Sequence, residues 1–171
     1  MTDNIRVLIP EEKIRERIKE LAEQISKDYE GKSVHLVSIL KGSVFFACDL
    51  AKRITVPVTM DFMSVSSYGD EKVSSGRVRI VKDLDETIQD KDVLIVEDII
   101  DSGRTLAYLK DLLGSRMPKS MNICTLLDKP ERRVVDVDVK YIGFEIPDEF
   151  VVGYGLDYQQ RYRNLPFIGV V

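Results

Sequence analysis

The residues with the richest chemistry lie between Glu97 and Thr105 (EDIIDSGRT), where three carboxylates precede two hydroxyl residues, a glycine and an arginine. Adjacent carboxylates such as Glu97 and Asp98 offer only acceptors, which suits vicinal hydroxyl groups or a hydrated Mg²⁺. The turn Asp101-Ser102-Gly103-Arg104-Thr105, at the start of a helix, would expose several backbone N–H groups at the positive end of the helix dipole and form a phosphate cradle. Each residue alone reads as a helix cap or a surface charge. Together they read as a site. A second turn, Leu40-Lys41-Gly42, also follows an apolar run. There is no G-x-x-x-x-G-K-[ST] and no G-x-G-x-x-G, so neither a Walker NTPase nor a dinucleotide-binding domain is supported.

These turns need strands behind them and helices after them. Ile14, Ile18, Leu21, Ala22 and Ile25 recur at helical spacing between Pro10 and about Glu30, with Gly31 as a stop. Val34 to Leu40 is a near-continuous apolar run of strand length, and helical character returns from Gly42. Pro57 to Val65 reads as a strand, residues 66–76 as a polar, mobile loop, and Arg77 to Lys82 as a further strand. Asp92 to Val96 is a buried strand, Glu97 to Thr105 a polar loop, and Leu106 to Leu113 a helix ended by Gly114. Ser120 to Leu127 and Val139 to Ile146 complete the strands. Strands alternating with helices predict an α/β fold with a mainly parallel sheet covered on both faces. In such sheets ligands sit beyond the carboxyl ends of the strands, where both turns fall.

With 171 residues, one domain spanning 1–171 is expected. The 29 Asp and Glu exceed the 25 Lys and Arg, and this net charge of −4 argues against a nucleic-acid coat. Cys48 and Cys124 sit among apolar neighbours and form no C-x-x-C pair, so both are expected to be inert buried thiols. No basic leader and no apolar run of membrane length is present, which predicts a cytoplasmic protein with no membrane partner. His35, inside an apolar strand, is expected to be structural.

The stretch VLIVEDIIDSGRTL, from Val93 to Leu106, resembles the phosphoribosyl-pyrophosphate (PRPP) signature of the type I phosphoribosyltransferases. Leu40-Lys41-Gly42, Ser66-Ser67-Tyr68-Gly69, Leu127-Asp128-Lys129 and GFEIPDEFVVGYGLDY from Gly143 to Tyr158 resemble the hypoxanthine-guanine branch. The resemblance implies that fold, with a small hood built from the N- and C-terminal segments and a purine pocket completed by residues 129–165. It implies a reaction in which PRPP and hypoxanthine or guanine give IMP or GMP and pyrophosphate, with Mg²⁺ as cofactor, in a homodimer or homotetramer.

Carried over by resemblance, Glu97 and Asp98 would hold the ribose hydroxyls and a metal ion, and Asp101 through Thr105 would wrap the 5′-phosphate. Within that turn Ser102 and Thr105 would lend their hydroxyls, Gly103 its backbone, and Arg104 its positive field. Lys41, Gly42 and Arg163 would hold pyrophosphate, and the peptide before Lys41 can be cis in this family. Ser67 and Tyr68 would belong to a lid that excludes water. Lys129 would donate to the purine O6, which argues for 6-oxopurines, because a lysine has donors only. Phe150 would stack on the ring, or else pack in the core. The carbonyls of Val151 and Asp157 would take the N1–H and any 2-amino group, and Asp157 would ligate a second Mg²⁺. Asp101 would be the general acid/base toward N7. A xanthine-preferring enzyme, or a regulator of the same fold that senses nucleotides or binds RNA, are the alternatives.

Overall fold

The computed structural model describes residues 4–67 and 78–171. Its strands and helices run in the order β1 (Arg6–Ile9), α1 (Glu11–Asp28), β2 (Val34–Leu40), α2 (Val44–Arg53), β3 (Val58–Ser67), β4 (Val78–Lys82), β5 (Asp92–Ile100), α3 (Arg104–Gly114), β6 (Ser120–Asp128), β7 (Tyr141–Glu145), β8 (Val151–Val152) and β9 (Ile168–Val170). The main sheet has six strands in the order β4-β3-β2-β5-β6-β7, parallel except for the edge strand β4. This is the mainly parallel α/β architecture that the alternation of strands and helices predicts.

The central strands are apolar on both faces, and successive side chains serve opposite layers. Leu36, Leu94 and Val96 pack with Ile14, Ile18 and Leu21 of α1 and Phe46, Ala47 and Leu50 of α2. Val37, Val93 and Ile95 pack with Leu106, Leu109 and Leu113 of α3 on the other face. Strand order reverses between β2 and β5, since one connection leads outward through α2 to β3 and the other through α3 to β6. That is a topological switch point, and the two turns singled out above flank it.

A second sheet, β1-β9-β8, is antiparallel and joins the first and last strands. It is the hood that the resemblance implies. Its strands, as short as Val151–Val152, carry too few residues for periodicity to announce them.

Three expectations are corrected. β5 does not end at Val96 but runs to Ile100, so Glu97 and Asp98 lie on the strand and the turn begins at Asp101. β3 likewise continues through Ser66 and Ser67, residues expected in a loop. Cys48 is exposed, while Cys124 is buried. On α2 the inward face is taken by Phe46, Ala47 and Leu50, and at 100° per residue Cys48 falls outside it. Among the described residues no helix is long and apolar enough to cross a membrane. Tyr68 and most of the expected lid loop lie outside the described residues.

Candidate functional site

The two turns both fall at the carboxyl end of the sheet, after the neighbouring strands β2 and β5. After β2, the Leu40–Lys41 peptide is cis. The Ser43 hydroxyl donates to the Ile39 carbonyl at 2.6 Å and lies 2.8 Å from that of Ser38, which ties the turn down from beneath. Gly42 lies directly against Asp98: a Cβ there would stand 1.8 Å from Asp98 Oδ2. Gly155 in turn, at φ +101°, would place a Cβ 2.1 Å from the Gly42 carbonyl oxygen. Only glycines allow these backbones to approach so closely.

Behind that contact the C-terminal segment closes over the site. Arg163 donates through Nη1 to the Gly155 carbonyl at 2.6 Å and through Nη2 to Gln160 Oε1 at 3.0 Å, with Asp157 Oδ1 at 3.3 Å. Lys41 Nζ donates to the same Gln160 Oε1 at 3.3 Å. The backbone N–H of Gln160 is anchored on Asp157 Oδ2 at 2.8 Å. Lys41 and Gly42 are thereby brought together with Asp157 and Arg163, which are distant in sequence. Gln160 is not among the residues the sequence singles out, because an amide in a polar segment gives no signal of its own.

After β5, Gly103 caps α3 in the left-handed region at φ +85°. The Arg104 N–H donates to Ser102 Oγ at 3.3 Å. A cavity of about 260 Å³ is lined by Glu97, Ile99, Ile100, Asp101, Ser102, Gly103, Thr105 and Leu106. Glu97, Asp101, Ser102, Gly103 and Thr105 thus face one volume at a helix N-terminus. A larger cavity, about 480 Å³, lies between α1, α2 and Tyr154. Two of its three lining cations are already paired, Arg15 with Glu11 and Lys52 with Asp49, and neither chemistry-bearing turn lines it.

Burial raises Glu97 well above the usual carboxylate range, and the neighbouring charge of Asp98 adds to this. Asp98 is also raised by burial, against the pull of the Ile99 N–H that donates to its Oδ1 at 2.7 Å. Such a pair favours any partner that brings positive charge or hydroxyl donors. Among the described residues no group of three or more His, Cys, Asp or Glu is arranged to hold a metal ion, so Asp157 does not complete a cluster with Glu97 and Asp98. Two carboxylates that leave most positions to water and substrate oxygens fit Mg²⁺, which keeps much of its hydration.

On the far side of β5, the Lys129 N–H donates to the Ile100 carbonyl at 3.0 Å, so the end of β6 is stapled to the end of β5. The Lys129 side chain is nearly buried, with its Nζ 3.9 Å from Asp148. Phe150 is 54% exposed, which excludes core packing. Tyr158 holds its ring edge-on, with centroids 5.6 Å apart and planes at 85°. Val151 is buried in the hood, paired with β9. Ser67 ends β3, beside Val78.

The geometry has close counterparts. Residues 10–159 match the family model described as the phosphoribosyl transferase domain. The hypoxanthine phosphoribosyltransferase of Salmonella typhimurium is 56% identical over 173 residues, covering 100% of this chain and 97% of that protein. The hypoxanthine-guanine phosphoribosyltransferase of Bacillus subtilis is 52% identical, covering 97% of this chain and 92% of its own length. A crystal structure of a hypoxanthine-guanine phosphoribosyltransferase from Bacillus anthracis superposes with a TM-score of 0.94 at 53% identity, over 96% of this chain and 97% of that one. The match spans nearly the whole chain, and the chain belongs to the phosphoribosyl transferase family.

Proposed function

We propose that the protein transfers the 5-phosphoribosyl group of PRPP to N9 of hypoxanthine or guanine, giving IMP or GMP and pyrophosphate. The observation that carries this reading is the convergence of Lys41 and Arg163 on Gln160, with Gly42 pressed against Asp98, at the cleft that holds the Asp101–Thr105 turn. This supports a reading in which Lys41 and Arg163 are leaving-group cations, Glu97 and Asp98 ribose acceptors and Asp101–Thr105 a phosphate cradle. The purine names of the relatives, the near-buried Lys129 and the exposed Phe150 support a 6-oxopurine.

In this reading the backbone N–H groups of residues 102–105 and the hydroxyls of Ser102 and Thr105 hold the 5′-phosphate. Glu97 and Asp98 accept from the ribose 2′ and 3′ hydroxyls and orient C1′ toward the base. Lys41 and Arg163 neutralise the departing pyrophosphate while positive charge grows on the ribose, which is electrostatic preorganisation. Mg²⁺, held by Glu97 and Asp98 and by Asp157 on the pyrophosphate side, would supply further charge neutralisation to the leaving group. Lys129 donates to O6, Phe150 stacks on the purine, and the Val151 and Asp157 carbonyls read N1–H and the 2-position. Asp101 exchanges a proton or a strong hydrogen bond with N7 as N9 attacks. Ser67 and Tyr68 belong to the segment that shields C1′ from water. One domain over residues 1–171, association into a homodimer or homotetramer, and a cytoplasmic setting complete the proposal.

Incubation with PRPP, Mg²⁺ and each of hypoxanthine, guanine, xanthine and adenine, followed by nucleotide analysis, tests it. IMP and GMP formation with little AMP is expected. Absence of turnover with every oxopurine would overturn it, and XMP as the main product would favour a xanthine-preferring enzyme.

A further inference from the structure

The segment that follows Lys129 packs directly on the phosphate turn, and one side chain bridges the two. Arg133 donates through Nε to the Asp101 carbonyl at 3.1 Å and pairs through Nη2 with Asp128 Oδ1. Asp128 is 5% exposed, so its charge needs a partner at that spot. The next two residues tighten the contact, since the N–H groups of Val134 and Val135 both donate to the Ser102 carbonyl, at 2.9 and 3.0 Å. Gly103 has no room for a side chain there: a Cβ would stand 2.6 Å from the Val135 carbonyl and 3.1 Å from Arg133 Cδ. The neighbouring carboxylate, Asp148, faces Arg132 and Lys129 instead, so Asp128 relies on Arg133.

We propose that Arg133 is a positioning residue, whose guanidinium locks the backbone of Asp101 to the end of β6 that carries Lys129 and so fixes the distance between proton donor and base pocket. The inference rests on the phosphoribosyl transfer proposed above. A planar fork with several N–H groups can serve a carboxylate and a carbonyl at once, whereas an ammonium is a single point of charge. Arg133→Lys therefore preserves charge toward Asp128 and loses the fixed donation to Asp101. The Ser102 carbonyl keeps its two backbone donors, so the phosphate turn stays in place and the position of Asp101 is what changes.

The test measures thermal unfolding, steady-state kinetics with hypoxanthine, and the pH profile of kcat for the native protein, Arg133→Lys and Arg133→Met. The expected result for Arg133→Lys is near-native unfolding, kcat lower by about tenfold or more, and KM for PRPP within about threefold, because misplacement of a reacting group is felt in kcat. The acid limb of its kcat profile should also move. Arg133→Met should lower kcat at least as much. A Lys variant with native kcat and native pH profile overturns the proposal. So does a Lys variant whose activity simply follows its folded fraction, which would make Arg133 a residue of the fold alone. An inactive native protein would instead sink the phosphoribosyl-transfer reading itself.

Discussion

Lys41 and Arg163 reach the same oxygen from opposite ends of the chain, Nζ at 3.3 Å and Nη2 at 3.0 Å from Gln160 Oε1. Two cations that share one neutral acceptor are aligned for an anionic group, although Arg163 also lies 3.3 Å from Asp157 Oδ1 and is partly compensated by it. Gln160→Leu should therefore leave both charges present but unaligned. KM for PRPP is expected to rise roughly three- to tenfold with a smaller change in kcat, since what is lost is preorganisation. Initial rates across a PRPP titration decide this, and an unchanged KM removes Gln160 from the role.

Gly42 is the most constrained small residue of the site, because a Cβ would lie 1.8 Å from Asp98 Oδ2 and 2.7 Å from Asp98 Cγ. Asp98 is short and held by the Ile99 N–H, so it cannot swing aside cheaply. Gly42→Ala must displace either the carboxylate or the turn. We expect kcat/KM to fall by about 10²-fold or more, the scale of a misplacement near 1 Å. The stability cost, by comparison, should be about 1–3 kcal/mol. Kinetics and urea denaturation of the same preparation separate the two effects.

The part of the site that lies in one stretch, Glu97 to Thr105, was legible because its neighbours in space are its neighbours in sequence. Its secondary structure was less so: two carboxylates masked the last turn of pleat in β5, which runs to Ile100. Sheet pairing with β6, Glu97 beside Thr125 and Ile100 beside Asp128, overrides the polar composition. Gln160, Arg133 and Gly155 were out of reach for a different reason. Each acts through a partner distant in sequence, and no local periodicity encodes such a meeting. Cys48 shows the same limit in reverse, since apolar sequence neighbours do not decide which way a helical side chain points.

Asp101 is exposed and lines the 260 Å³ cavity, and its carbonyl accepts from Arg133 Nε. Asp101→Ala should lower kcat by about 10²-fold or more while PRPP binding stays near native, the usual size of a lost acid/base group. Single-turnover rates alongside PRPP titration make the distinction. A kcat within a few-fold of native would assign the proton transfer elsewhere.

Lys129→Ala should act on the base instead. Its near-buried ammonium is the group proposed to donate to O6, so its loss should raise KM for hypoxanthine by about tenfold or more, on the scale of a hydrogen bond from a charged group. KM for PRPP should be little changed. Competition between hypoxanthine and adenine gives a second readout, in which discrimination against adenine should narrow. Unchanged selectivity and KM would remove Lys129 from the pocket.

His35 supplies a prediction on stability that is independent of catalysis. It is 3% exposed on β2, its Nδ1 is 2.7 Å from Thr59 Oγ1, and its Nε2 has no hydrogen-bond partner among the described residues. Burial, then the charge of Lys91, hold its pKa below the ordinary value of 6.5, with Asp61 and Glu86 acting in the opposite sense. The unfolded chain thus takes up this proton first as pH falls, so the contribution of neutral His35 is complete above 6.5 and is lost progressively below it, toward the folded pKa. Glu97, raised in the folded state, contributes with the opposite sign, so the total pH dependence is a mixture and only a difference isolates the histidine. Urea unfolding of native protein and His35→Asn, compared between about pH 7 and about pH 5.5, supplies that difference. The native protein should lose more stability than the variant over this interval, whatever their absolute offset. Parallel curves would mean that His35 titrates alike in the folded and unfolded chains.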